Sequence, residues 1–193
     1  MKNKFNPLSL IIAFSLLLGL GVSPQRAQAQ APHIIKVDTT EDLRDFAQNG
    51  VCSAGHITEG PCSLRAAIYE AARYHENVEI QLPPGVYKLT LTEPSDEGEP
   101  EDHYGDLDIP ERPNSDNYFT IKGTGDWDNP SIIDANYIDR VMQIGKNQNV
   151  HLTNLVLKNG LTKKIDPSQE GLAGGGLHIH EAKVKLTHVR LTN

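Results

Sequence analysis

The densest chemistry-bearing stretch lies between residues 93 and 108. Glu93, Asp96, Glu97, Glu99, Glu101, Asp102, Asp106 and Asp108 fall there with no Lys or Arg among them. Hard carboxylate oxygens clustered on a loop suit Ca2+, and Asp102, Asp106 and Asp108 are the candidate ligands. Their spacing fits no calcium-loop pattern, and Pro94, Gly98 and Pro100 describe a loose excursion of chain. The competing reading is a solvated insert between strands, with Leu107 and Ile109 facing inward and the carboxylates of Asp106 and Asp108 facing out.

His178 and His180 form a second candidate. At i and i+2 on a strand whose Leu177 and Ile179 face a core, both imidazoles share the outer face, with Glu181 beside them. Two histidines and a carboxylate suit a transition metal such as zinc or iron. No third ligand from elsewhere in the chain is identifiable, and outward histidines on a strand are commonplace. Gly174-Gly175-Gly176 is no phosphate loop, because neither Lys-Ser/Thr nor a helix follows it. Three glycines after a polar loop instead let the chain turn tightly into the next strand. No pair of carboxylates can be assigned to acid and base roles.

The two cysteines, Cys52 and Cys62, have nine residues between them. Two thiols and His56 are too few ligands for a structural metal site. In an oxidising compartment the pair reads as a disulfide, worth about 2–3 kcal/mol on the chain-entropy account. The compartment is suggested by the N-terminus. Lys2 and Lys4 precede an apolar run at residues 8–20, and Ala27-Gln28-Ala29 and Ala29-Gln30-Ala31 offer small-x-small cleavage sites. Residues 1–29 therefore read as a signal peptide that directs export to the outside or cell surface, with passage through a periplasm where one exists. The apolar run is too short for a membrane anchor, and no later stretch is long enough to span a bilayer.

Removing Lys2, Lys4 and Arg26 takes the formal charge from −7 to −10. An acidic exported domain with scattered cations is a poor partner for nucleic acid or an anionic membrane surface. It excludes polyanionic ligands only weakly, since a local basic cleft can sit on an acidic protein.

The elements that must position these residues are mostly short strands. Residues 34–37 read as a strand, residues 40–46 as a turn or short helix, and residues 50–61 as a loop held by the disulfide. Leu64, Ala67, Ile68, Ala71 and Ala72 make one apolar helical stripe, with Ser63 as N-cap. Arg65, Glu70 and Arg73 are expected in solvent. From Asn77 onward the period is two. Val78, Ile80 and Leu82 alternate, as do Tyr87, Leu89 and Leu91, followed by short apolar runs around Leu107, Phe119, Ile132 and Val141. No helix separates these runs, which excludes a doubly wound α/β sheet.

One phrase occurs twice. Residues 150–160 and 184–193 align without a gap at an offset of 34, with Val150/Val184, Leu152/Leu186, Thr153/Thr187, Leu157/Leu191 and Asn159/Asn193 identical. Alternation slips by one residue at Thr153-Asn154, so a flat strand would turn its second half outward. A bend there keeps both halves facing one interior. Stacked turns of this kind describe a parallel β-helix, with Asn159 and Asn193 one above the other at a corner. The interval is too long for a leucine-rich repeat, and Asn159-Gly160, the kind of dipeptide that closes the hairpins of an antiparallel sandwich, is followed by a long polar loop.

Cys62-Ser63-Leu64-Arg65-Ala66-Ala67-Ile68 resembles the N-terminal segment of bacterial secreted β-helix proteins marked by a Cys-Ser-Leu-Arg-Glu-Ala signature. The resemblance continues through residues 78–91, Gly105-Asp106-Leu107-Asp108-Ile109, Ile121-Lys122-Gly123-Thr124-Gly125, Ile132-Ile133-Asp134, residues 155–160 and Gly174-Gly175-Gly176-Leu177. It implies an all-β, right-handed parallel β-helix of the pectin-lyase-like type. Residues 32–76 would form a cap with one helix and the disulfide, and residues 77–193 the coils. Ala66 stands where the signature has Glu, which removes a capping box at a cost of at most about 1 kcal/mol. Hydrolases of this fold resemble one another in an Asp pair, a Gly-His-Gly and an Arg-x-Lys, none of which is present. Asn114-Ser115-Asp116 is the only Asn-x-Asp, Asp139-Arg140 is a pair by sequence alone, and Asp134 matches a turn position.

The expectation is an exported or cell-surface β-helix scaffold that binds a glycan or other surface ligand through its lateral face. The alternative is a polysaccharide lyase or glycoside hydrolase whose catalytic coils are absent or unrecognised. The phrase ends at Asn193 with no closing element, so the last coil is expected to self-associate or to continue in a longer chain.

Overall fold

The computed structural model describes residues 30–54, 59–93, 104–109, 111–112, 116–162 and 174–193. The proposed signal segment, His56 and Asp102 therefore lie outside the described residues. Among the described residues the fold is mostly β, with ten strands, one short helix and the Cys52–Cys62 disulfide formed.

The strands are β1 (His33–Lys36), β2 (Val78–Leu82), β3 (Gly85–Lys88), β4 (Leu107–Ile109), β5 (Phe119–Gly123), β6 (Ser131–Asp134), β7 (Met142–Ile144), β8 (Asn149–Lys158), β9 (Leu177–Ile179) and β10 (Lys183–Thr192). Every pairing is parallel. One sheet runs β1-β2-β5-β8-β6-β3 with β10 on β8, and the other runs β4-β7-β9. On the side away from β10, β8 is shared by two ladders. Its first half pairs with β5, Val150 opposite Phe119, and its second with β6, Leu155 opposite Ser131. Between the halves Asn154 takes φ +55°, and His188 takes φ +52° at the same place in β10. The slip in alternation is thus a bend, and it turns Val150, Leu152, Leu155 and Leu157 into one interior. They join Ile80, Leu82, Phe119, Ile121, Ile133, Leu107 and Met142 in a single core.

The bend has a local cause. The Asn154 side-chain amide donates to the carbonyls of Gly123 and Gly125 at 3.0 and 2.5 Å. Asn tolerates the left-handed region better than most residues. Gly123 is needed beneath it, since a Cβ there would lie 2.0 Å from the Asn154 carbonyl oxygen.

Before the strands, α1 (Leu64–Ala71) packs on β1, β2 and β4. Ser63 caps it by accepting from the Ala66 N–H at 3.1 Å, while its hydroxyl donates to the Leu43 carbonyl. Residues 40–46 form no helix. Arg65 and Glu70, expected in solvent, are buried. Each is covered by chain outside the helix, Arg65 by the loop at Asp42 and the approach to β4 and Glu70 by the loop at Gly50. Arg65 forks onto Asp42 and also donates to the carbonyls of Gly105 and Asp106. Glu70 accepts from the Gly50 N–H at 2.6 Å. Further along, buried Arg112 donates to the carbonyls of Tyr74, Glu76 and Tyr118, tying the turn after α1 to the start of β5.

The β8–β10 register, with Thr192 opposite Lys158, brings Asn193 to the same corner as Asn159, but the Asn159 side chain has another partner. Asn159 donates its amide to Asp134 Oδ1 at 2.8 Å, because Asp134 lies beside Lys158 in the β6–β8 register. Within the glycine run, Gly175 is required by a close approach of backbone. A Cβ on Gly175 would lie 2.4 Å from the Gly160 carbonyl oxygen, and one on Gly160 would lie 1.9 Å from that of Gly175.

Candidate functional site

The β4-β7-β9 sheet brings one residue of each candidate set, Asp108 and His178, onto one face. Register places Asp108 opposite Gln143 and Gln143 opposite His178, so these three form an outward row across the strands. His178 Nδ1 lies 3.0 Å from Gln143 Oε1 and 3.4 Å from an Arg140 guanidinium nitrogen. With Gln143 accepting, Nδ1 carries the hydrogen and Arg140 acts on the ring as a neighbouring charge. The rings of His178 and His180 stack with centroids 6.5 Å apart, and His180 lies 3.5 Å from Glu181.

Asp106 is not an outward carboxylate. It is buried, and Arg140 Nε donates to its Oδ2 at 3.0 Å. Arg140 thus pairs across the sheet with Asp106, while the Asp139 carboxylate, 4.0 Å from it, accepts from the Arg140 N–H. Burial raises the Asp106 pKa, opposed by Arg140. Burial, then the charges of Arg140 and His180, lower that of His178. A guanidinium among these groups opposes a bound cation. Among the described residues no three His, Cys, Asp or Glu side chains are grouped to hold a metal ion. Asp134 sits elsewhere, at the corner after β6. It accepts from the Asn136 N–H and from Asn159, and pairs with Lys158 at 3.2 Å. Burial would raise its pKa, but these partners outweigh it and hold the carboxyl below the usual range.

A second site was not anticipated from the sequence. Trp127, the only tryptophan, is 78 % exposed. It rides on a tight turn in which Asp126 Oδ1 accepts from the N–H groups of Asp128 and Asn129, at 3.1 and 2.8 Å. Its indole stands beside the bend of β8 and β10, with the Arg190 guanidinium 4.4 Å from the ring centroid. Asp126, Trp127, Pro130, Val156, His188 and Arg190 help line a groove of about 370 Å³. Next to the groove, three apolar side chains run in a row across the strands. Val86 opposes Ile132, Ile132 opposes Val156, and Val156 opposes Arg190. The available signal was a lone Trp among turn-forming Asp and Asn, where no strand could bury it.

No protein family, curated protein or solved structure matches the chain. Among the described residues no helix is long and apolar enough to cross a membrane.

Proposed function

We propose that this chain is an exported or cell-surface scaffold of the right-handed parallel β-helix type, which binds a glycan or other surface ligand through its lateral face. The observation that carries this reading is the Trp127 groove. An exposed indole on a turn fixed by Asp126 offers a flat apolar surface at little ordering cost. Arg190, His188 and Asp126 supply hydrogen-bonding and charged groups at its rim. The all-parallel ladders, the bend at Asn154 and the disulfide-held cap support the architecture, and the disulfide is compatible with export. The alternative enzyme reading draws no comparable support, since Asp106 and Asp134 are each already engaged by a cation.

Trp127 is the sole tryptophan, so its fluorescence reports on this groove alone. Titration with purified cell-wall and capsular polysaccharides is expected to shift or quench the emission, and Trp127→Ala to abolish retention on the same polymers. Retention that survives Trp127→Ala would move the binding elsewhere, and turnover of a polymer would favour the enzyme. Absence of both retention and spectral change across such polymers and intact cells would sink the proposal.

A further inference from the structure

Two opposite charges line the Trp127 groove without joining. Arg190 and Asp126 are both on its wall, yet among the described residues neither makes an ion pair. The Arg190 guanidinium is held over the indole, 4.4 Å from the ring centroid, and its N–H donors make no hydrogen bond among the described residues. With Trp127 78 % exposed, the arginine leaves most of the indole open. Asp126 divides its oxygens between different tasks. Oδ1 accepts from the N–H groups of Asp128 and Asn129 and so fixes the turn, at 3.1 and 2.8 Å. Oδ2 has no hydrogen bond among the described residues.

These three groups together define what fits. A carboxylate would pair with Arg190 but meet Asp126, and an ammonium would do the reverse. A hydroxyl both donates and accepts, so neighbouring hydroxyls on one ring can serve Arg190 and Asp126 Oδ2 together. A pyranose also has an apolar C–H face that lies flat on an indole. The chain carries a formal charge of −7, which adds long-range repulsion against polyanions.

We propose that the groove selects a neutral hexose unit of a glycan, its ring on Trp127 and adjacent hydroxyls between Arg190 and Asp126. This rests on the reading of Trp127 as a glycan platform and adds which sugars the platform accepts. Uronic acids and amino sugars with a free ammonium are the units it discriminates against.

The test follows the Trp127 emission of the full chain during titration with neutral oligosaccharides of glucose, mannose and galactose. Oligomers of glucuronic, mannuronic and galacturonic acid of matching length are the comparison. Neutral oligomers are expected to bind at least about tenfold more tightly than the acidic ones, with the same affinity at low and high salt. Asp126→Asn keeps an oxygen for the two turn N–H groups and changes the other atom alone. It should weaken neutral oligomers about tenfold and narrow the penalty against uronates. Arg190→Gln should weaken neutral oligomers similarly. Thermal melts matching the parent show that both variants fold.

Acidic oligomers that bind as tightly as neutral ones, a steep fall of affinity with salt, or an unchanged affinity in Asp126→Asn overturns the selectivity while leaving Trp127 as the platform. Silence of the emission with every oligomer, together with retention on polymers that survives Trp127→Ala, removes the platform and the selectivity with it.

Discussion

Asp42 and Arg65 form a two-pronged ion pair, Nε to Oδ1 at 2.8 Å and Nη2 to Oδ2 at 3.3 Å, with side chains 2 % and 3 % exposed. The same aspartate accepts from the N–H groups of Thr90 and Leu91, and the same arginine donates to the carbonyls of Gly105 and Asp106. One pair thus joins the cap loop, the helix, the chain after β3 and the approach to β4. This gives the arginine of the Cys-Ser-Leu-Arg phrase a structural task.

Arg65→Ala leaves Asp42 buried without its cation, which is expected to cost about 3–5 kcal/mol. Arg65→Lys keeps the charge but loses the planar fork, and should recover only part of that. Urea midpoints measured with the disulfide intact check both. A loss under about 1 kcal/mol for Arg65→Ala would place the pair among weak surface bridges.

Glu70 has a pKa above the usual carboxylate value, first because of burial, opposed by the Gly50 N–H and by Arg73. Its contribution to stability is complete below the unfolded-state pKa and is lost as pH rises through the folded value. Glu70→Gln can still accept from Gly50 and has no such loss. Its stability relative to the parent should improve steadily from acid to neutral pH. A difference independent of pH, followed by urea denaturation, contradicts this.

His178 runs in the opposite sense. Its pKa lies below the ordinary 6.5 because of burial, then Arg140 and His180. The folded state therefore holds the neutral ring, and stability present above the unfolded value is lost as pH falls through it. His178→Gln should lose less stability than the parent between about pH 7 and about pH 5. Parallel pH curves for the two proteins would show that the cluster with Arg140 does not act on the ring.

Asn154 combines φ +55° with two amide hydrogen bonds. Asn154→Ala should cost about 2–4 kcal/mol, from the left-handed backbone and the lost bonds together. Asn154→Gly removes the strain but not the loss of bonds, and should cost about half as much. Thermal denaturation of the pair separates the two contributions. Equal costs would mean that the backbone conformation is not the source.

The strands, the helix and the bend were legible because each leaves a local mark. Inward residues alternate, the slip at Thr153-Asn154 interrupts them, and Ser63 precedes a helical stripe. Most of the pairing was not legible. Val78 opposes Phe119 and Phe119 opposes Val150, so the chain between paired strands varies in length and only β8 and β10 preserve a visible period. Arg65 and Glu70 were misplaced for a related reason. Helical position shows which face a residue shares, but not that a loop closes over the opposite face.

The sequence by itself determined the strand-rich class, the capped helix and the bend, since these follow from side-chain period and backbone preference over a few neighbours. Only the tertiary structure decided that Arg140 belongs to Asp106 rather than to Asp139, and that Asn159 serves Asp134 rather than Asn193. It also set Trp127 beside Arg190. Each of these contacts joins residues from different strands or loops, and parallel pairing through connections of unequal length fixes which ones meet.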